Sequence, residues 1–340
     1  MIMKHLMPTL AFRCCATGSA WLQAGVVAIA ALAVPGALAQ PVQTIPKIRP
    51  MANEIYKVSH QDIDWHERSY RIFVAAPESR PDIHAPLSVL YILDGNAQFP
   101  LAVNAVYEQW AAQAGDASSK GALPLIVGLG YPDDKAYPLT LRERDYTYAA
   151  PGEAFAKGGG AADFYGFVQD AVRPYIKRQY AAATGKQMLA GHSFGGLFTL
   201  YVLLNHRDAF DQYVIGSPSL WWGHGALVTD ANLPAAEPAQ ASGLKTGSAA
   251  QAQADGSGVK SRFVTILQGE YEENPEANPD MKPERLARIK QRRSSVTARE
   301  LDAWLRQHGM DSHFILVEKA GHGGVIPAVI QTAVQAAMHH

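Results

Sequence analysis

The segment Leu189-Ala190-Gly191-His192-Ser193-Phe194-Gly195-Gly196 constrains the fold more than any other part of the chain. It reads as the end of a buried strand, a Gly-x-Ser-x-Gly turn and the first turn of an apolar helix carrying Leu197, Phe198, Leu200, Tyr201 and Leu203. A serine at so sharp a strand-to-helix corner projects its Oγ away from the backbone, and the flanking glycines allow unusual dihedrals and close packing. The helix behind it points unpaired N–H groups at the same spot, where developing negative charge is stabilised. Glycine and serine are common in turns, so the alternative is a structural turn serine. The strand before the motif and the apolar helix after it favour a nucleophile.

Such a corner belongs to a mostly parallel sheet, and the rest of the chain fits one. Apolar residues make up 48% of the 340 and charged residues 18%, enough for a sizeable core. Strand candidates recur with helical stretches between them. They are 70–75, 87–93, 123–129, 188–191, 213–216, 263–267 and 314–317. Phe164, Phe167, Val168, Val172, Tyr175 and Ile176 share one face of a helix opening at Asp163, which Pro174 should bend. Val296, Leu301, Trp304 and Leu305 mark a second helix closed by Gly309, and Val329 to Ala337 a last one. The spans 111–122, 152–162 and 230–260 read as loops. The last is a low-complexity insertion of alanine, glycine, serine and glutamine that cannot bury enough surface to fold alone.

The first 39 residues read as a signal peptide. Lys4 and Arg13 precede an apolar run from Trp21 to Val34, and Ala37-Leu38-Ala39 offers a cleavage site before Gln40. An uncleaved anchor is the alternative, but the run is short, holds Gly25 and stops at Pro35. Residues 40–340 are then expected to form a single exported domain, periplasmic and without stable membrane association. Both cysteines, Cys14 and Cys15, fall in the leader, which leaves no disulfide and no thiol nucleophile beyond it. A formal net charge of −1 argues against a nucleic-acid partner.

A serine hydroxyl needs a general base. Of twelve histidines, His322 in Lys319-Ala320-Gly321-His322-Gly323-Gly324 lies between the last strand and the last helix. Loops at the carboxyl ends of parallel strands converge on one edge, the edge that also carries Ser193. His192 adjoins Ser193, in a turn expected to point it elsewhere. The acid that orients the base should lie between the two in sequence. The loop Gln268-Gly269-Glu270-Tyr271-Glu272-Glu273 supplies Glu272 as first choice and Glu270 as runner-up, with a Ser–His dyad also open. Oxyanion donors are expected at the Phe194 amide and at Gly95 or Asn96, after an earlier strand. No Walker loop, dinucleotide fingerprint or helical metal spacing is present, so neither metal nor cofactor is expected.

Four stretches, Leu90-Tyr91-Ile92-Leu93-Asp94-Gly95-Asn96, Gly191 to Gly196, Ser217-Pro218-Ser219-Leu220-Trp221-Trp222 and Ala320-Gly321-His322-Gly323, together resemble the putative-esterase family of α/β-hydrolases. The resemblance spans about 56–334 and is nearest the periplasmic IroE-like siderophore esterases. It implies an α/β-hydrolase fold, helices on both faces of the sheet, and an esterase acting on enterobactin-type trilactones, iron-loaded or iron-free. It carries the nucleophile and base onto Ser193 and His322, and a contact to the anionic substrate onto Arg142. A tris-catecholate complex is anionic and aromatic, so Arg142 and Arg144 could supply guanidinium forks and Trp221, Trp222 and Tyr148 aromatic faces. Trp221 and Trp222 read equally well as core or rim residues. A general carboxylesterase of the same fold is the alternative. A non-catalytic ferric-siderophore binder is a third reading, against which the intact serine and histidine argue.

Overall fold

The computed structural model describes residues 43–78, 85–113, 122–229, 262–291 and 294–339. The expected leader (1–39) and low-complexity insertion (230–260) lie outside the described residues. Eight strands form one sheet: β1 (Tyr56–Trp65), β2 (Arg68–Pro77), β3 (Val89–Ile92), β4 (Leu125–Gly130), β5 (Gln187–His192), β6 (Gln212–Gly216), β7 (Phe263–Gly269) and β8 (Asp311–Val317). Their order is β1-β2-β4-β3-β5-β6-β7-β8. From β4 to β8 every neighbouring pair is parallel, while β2 runs antiparallel to both β1 and β4. This is the mostly parallel α/β sheet that the sequence implies.

The central strands are apolar without a break because both faces are covered. Val89 and Tyr91 of β3 face one core, and Leu90 and Ile92 the other. The same split divides Leu125 and Val127 from Ile126 in β4, and Leu189 from Met188 and Ala190 in β5. One core is covered by α1 (Gly95–Ala112) and α9 (Ile326–Met338). The other lies beneath α2 (Leu139–Tyr146), α3 (Ala161–Gly166), α4 (Arg173–Gln179), α5 (Phe194–Asn205) and α8 (Ala298–Gln307). Two further short helices, α6 (Glu270–Glu273) and α7 (Pro283–Gln291), follow β7. Each large side chain fully buried in these cores contributes about 1.5–3 kcal/mol.

Local chemistry accounts for the helix ends. Thr297 caps α8 by accepting the Glu300 amide, while the Glu300 carboxylate accepts the Thr297 amide. Past its other end Gly309 takes the left-handed conformation, φ 76°. Pro174 lacks an N–H, and the turn before it widens into a π-helical segment (Phe167–Val172) between α3 and α4.

The sequence pattern does not announce several elements, α1, α2, α7 and β1 among them. Residues 95–112, of which the pattern marks only Gly95 and Asn96 as a turn and the stretch from 111 as the start of a loop, form α1, a helix that carries Pro100 in its interior. The strand β1 was not anticipated because its apolar residues change parity, which breaks the period of two. Tyr56 and Val58 pack on one core, Ile63 and Trp65 on the other.

Candidate active site

Ser193 sits between β5 and α5 at φ 62°, ψ −117°, a corner rare for a residue with a side chain. The corner is fixed from both sides. The Ser193 amide donates to the Gly216 carbonyl (2.9 Å), and its own carbonyl accepts from the Leu197 and Ser219 amides (2.9 and 3.1 Å). A Cβ on Gly191 would strike the Gly195 carbonyl, so only glycine lets the helix return this close to the strand. The side chain of Ser193 does not cap α5. Its hydroxyl meets the Nε2 of His322 at 3.0 Å instead.

His322 lies 129 residues further on, past β8. Its Nδ1 is 2.6 Å from Glu272 Oε2. A carboxylate can only accept, so Nδ1 carries the proton and Nε2 is free to accept from Ser193. Glu272 Oε1 accepts from Ser217 Oγ (2.6 Å) and from the Gly269 amide (3.0 Å). Burial pushes the Glu272 carboxyl up, but the charge and hydrogen bond of His322, together with Ser217 and the Gly269 amide, hold it down at about 2. The carboxylate is therefore ionised and fully engaged.

The other two glutamates of this loop are committed elsewhere. Glu270 accepts from the Lys319 amide (2.7 Å), and Glu273 pairs with Arg299 at the surface. The Tyr271 amide donates to the Ala320 carbonyl (3.0 Å), so α6 and the His322 loop are joined along their backbones. Gly269 allows this, since a Cβ there would collide with the Ala320 carbonyl.

His192 does not turn away from the site. It is 4% exposed, and its Nε2–H donates to the His322 carbonyl at 2.7 Å, with the two rings 4.6 Å apart. Burial first, then the nearby His322, depress its imidazole to about 3, so it stays neutral. Ser217 and Ser219, neither of them a predicted site residue, also stand in the site. Ser219 Oγ is 3.4 Å from Ser193 Oγ. Their sequence signals are their position just after β6, at the same edge, and their place in the Ser217–Trp222 stretch that resembles the family.

The strand order places the turn after β3 beside the one after β5, because Ile92 pairs with Ala190. That brings Gly95 and Asn96, the first residues of α1, next to the Phe194 turn; the first amides of a helix have no carbonyl partner within it. The Asn96 side chain is anchored to the Tyr131 amide and carbonyl and to the Asp133 carbonyl.

The expected substrate-binding residues divide. Arg142 is buried and bidentate to Asp94 (2.7 and 2.8 Å). Arg144 is bidentate to Asp145 (both 2.7 Å). Trp222 is core, with Nε1 donating to the Tyr148 carbonyl and its own carbonyl accepting from Tyr148 Oη. Trp221 is half-buried, its ring 5.9 Å from that of Phe194.

An activated serine, a histidine of fixed tautomer and an ionised acid in one hydrogen-bonded chain are the equipment of acyl transfer. Comparison with known proteins agrees. The esterase family model ("Putative esterase") matches residues 65–314. The ferri-bacillibactin esterase BesA of Bacillus subtilis is 29% identical over 286 residues, 80% of this chain and 86% of its own. The apo-salmochelin esterase of Escherichia coli is 30% identical over 208 residues, 57% of this chain and 61% of its own. The solved siderophore hydrolase EstB of Aspergillus nidulans superposes with a TM-score of 0.67 at 23% identity, covering 83% of this chain and 95% of that one; at that identity the likeness speaks for the fold. The chain belongs to the putative-esterase family and is a homologue of siderophore esterases.

Proposed function

We propose that this protein is an exported serine esterase that cleaves the ester (lactone) bonds of catecholate siderophores of the enterobactin type. The observation that carries the reading is the continuous chain from Ser193 through His322 to Glu272 at the carboxyl edge of the sheet. Ser193 Oγ attacks the ester carbonyl while His322 Nε2 takes its proton. The resulting imidazolium is stabilised by Glu272, and the oxyanion is met by the Phe194 amide and by that of Gly95 or Asn96. Collapse breaks the C–O bond, and His322 returns the proton to the departing alcohol. A water deprotonated by His322 then releases the acid and restores Ser193. The named activities of the relatives supply the substrate class, and the leader-like first 39 residues support a periplasmic site of action.

Incubation with ferric and iron-free enterobactin, followed by chromatography and mass analysis, tests this reading. Linear trimer, dimer or monomer should appear with the wild type and not with Ser193→Ala. One observation favours a second reading, a general carboxylesterase: Arg142 and Arg144 are both paired with aspartates of the chain itself. Intact lactone beside rapid cleavage of nitrophenyl butyrate would decide for it. N-terminal sequencing of the protein from a periplasmic fraction, expected to begin at Gln40, tests export.

A further inference from the structure

Asp94 is the residue at which the turn after β3 becomes α1, and it adopts φ 53°, ψ 45°. A non-glycine residue in this left-handed region persists only where its surroundings over-determine it, and such residues gather at functional sites. Here the surroundings do so. The Asp94 amide donates to Tyr146 Oη (3.1 Å), and the Asp94 carbonyl accepts the Ala97 and Gln98 amides (both 2.9 Å). Both carboxylate oxygens are held by the Nε and Nη2 of Arg142.

The last contact runs against local preference. An aspartate at the start of a helix ordinarily turns its carboxylate onto the amides of the first turn. Asp94 makes no such cap. Left to itself, that carboxylate would occupy the amides that an oxyanion needs, and its charge would oppose the one developing on the substrate. Arg142 draws it away and neutralises it. The guanidinium is itself enclosed, with the rings of Phe194, Tyr137 and Tyr146 at 5.4, 5.6 and 6.0 Å from its centre. Its aromatic partner Phe194 carries the other expected oxyanion amide, so one ion pair braces both turns. A Cβ on Gly195 would lie 3.5 Å from Asp94 Oδ2, which places the carboxylate against the first turn of α5.

We propose that Arg142 is a positioning residue of the oxyanion site: by holding the Asp94 carboxylate away from α1 it keeps the Gly95 and Asn96 amides open and aimed, and it does not serve as a contact to the substrate. The inference rests on the esterase reading above and is independent of which ester is natural.

The test compares a neutral ester, nitrophenyl butyrate, with an anionic one, the mono-nitrophenyl ester of succinate. Arg142→Lys keeps the charge and loses the bidentate fork. Misaimed groups at a reacting centre cost up to about 100-fold, so kcat should fall about 10- to 100-fold on both esters by the same factor, with KM within about threefold. Tyr146→Phe removes only the hydroxyl that holds the Asp94 amide, in a residue 0% exposed that no substrate can reach. It should also lower kcat on both esters alike, by about three- to tenfold on the same scale, and it carries the test if the lysine variant does not fold. A rise in KM confined to the anionic ester, with neutral turnover intact, would make Arg142 a substrate contact and overturn the proposal. So would a lowered melting temperature with kcat unchanged on both, the mark of a purely structural pair. Neither probe is a siderophore; failure of the wild type to cleave enterobactin would count against the proposed substrate and leave this comparison standing.

Discussion

Glu272 and Glu270 are two residues apart, yet one orients the base and the other ties down the backbone of the loop that carries it. Glu272→Gln should therefore lower kcat by about 10²- to 10⁴-fold, because the amide can donate to Nδ1 and favour the wrong tautomer. Glu270→Gln keeps an acceptor for the Lys319 amide and should cost less than about tenfold. Steady-state kinetics on nitrophenyl butyrate separate the two, and the opposite ranking would assign the acid to Glu270. Loop counting could rank these glutamates but not decide between them, since the outcome depends on the single turn of α6. Ser193 and His322 were legible because their chemistry is tied to strand ends. His192 was not, because its partner is a backbone carbonyl 130 residues away.

His192 also yields a prediction about stability. Its imidazole titrates at about 3 in the fold, against an ordinary 6.5, so the unfolded chain binds the proton first as pH falls. The contribution is whole above pH 6.5 and is lost progressively below it, at up to ~1.4 kcal/mol per pH unit. Glu272, lowered from 4.5 to about 2, adds its own loss below pH 4.5. Between pH 6.5 and 4.5 the slope from this pair belongs to His192, and His192→Gln should flatten it in denaturant titrations. An unchanged slope would mean that the buried ring is not the group responsible.

At the level of elements, the approach of β7 to the loop after β8 governs where the base stands. Gly269 has φ −78°, ψ 142°, a conformation open to alanine, so its constraint is steric alone. Gly269→Ala should push the Ala320 carbonyl and with it His322, at a cost of about 1–3 kcal/mol in stability and up to about 100-fold in kcat. A melting curve and kcat measured on the same preparation check both; wild-type values for the two would show that the loop has slack. The central strands were readable because their unbroken apolar runs record burial on both faces. β1 was hidden because it serves one core at each end, and α1 because its opening Gly-Asn and interior Pro100 imitate a turn.

Across the molecule, the sheet order is what assembles the site. Gly95 follows β3, Ser193 follows β5, Ser217 follows β6, Glu272 follows β7 and His322 follows β8, five successive neighbours in one parallel array. Parallel strands deliver the residues that follow them to the same edge, so a chain order spread over more than 200 residues becomes a row about five strands wide, ~20 Å. The chain order of Gly95, Ser193, Glu272 and His322 was visible in the sequence. The pairing of Arg142 with Asp94, which ties α2 to one end of that row, could be seen only in the fold.

Ser193 as the nucleophile is tested most directly by an acid quench during turnover of a slow ester, followed by mass analysis of the peptide containing Ser193. An acyl adduct on Ser193 should appear with substrate, decay as it is exhausted, and be absent in Ser193→Ala. Ester consumption by the wild type with Ser193 unmodified at every time point, and undiminished in Ser193→Ala, would contradict that role.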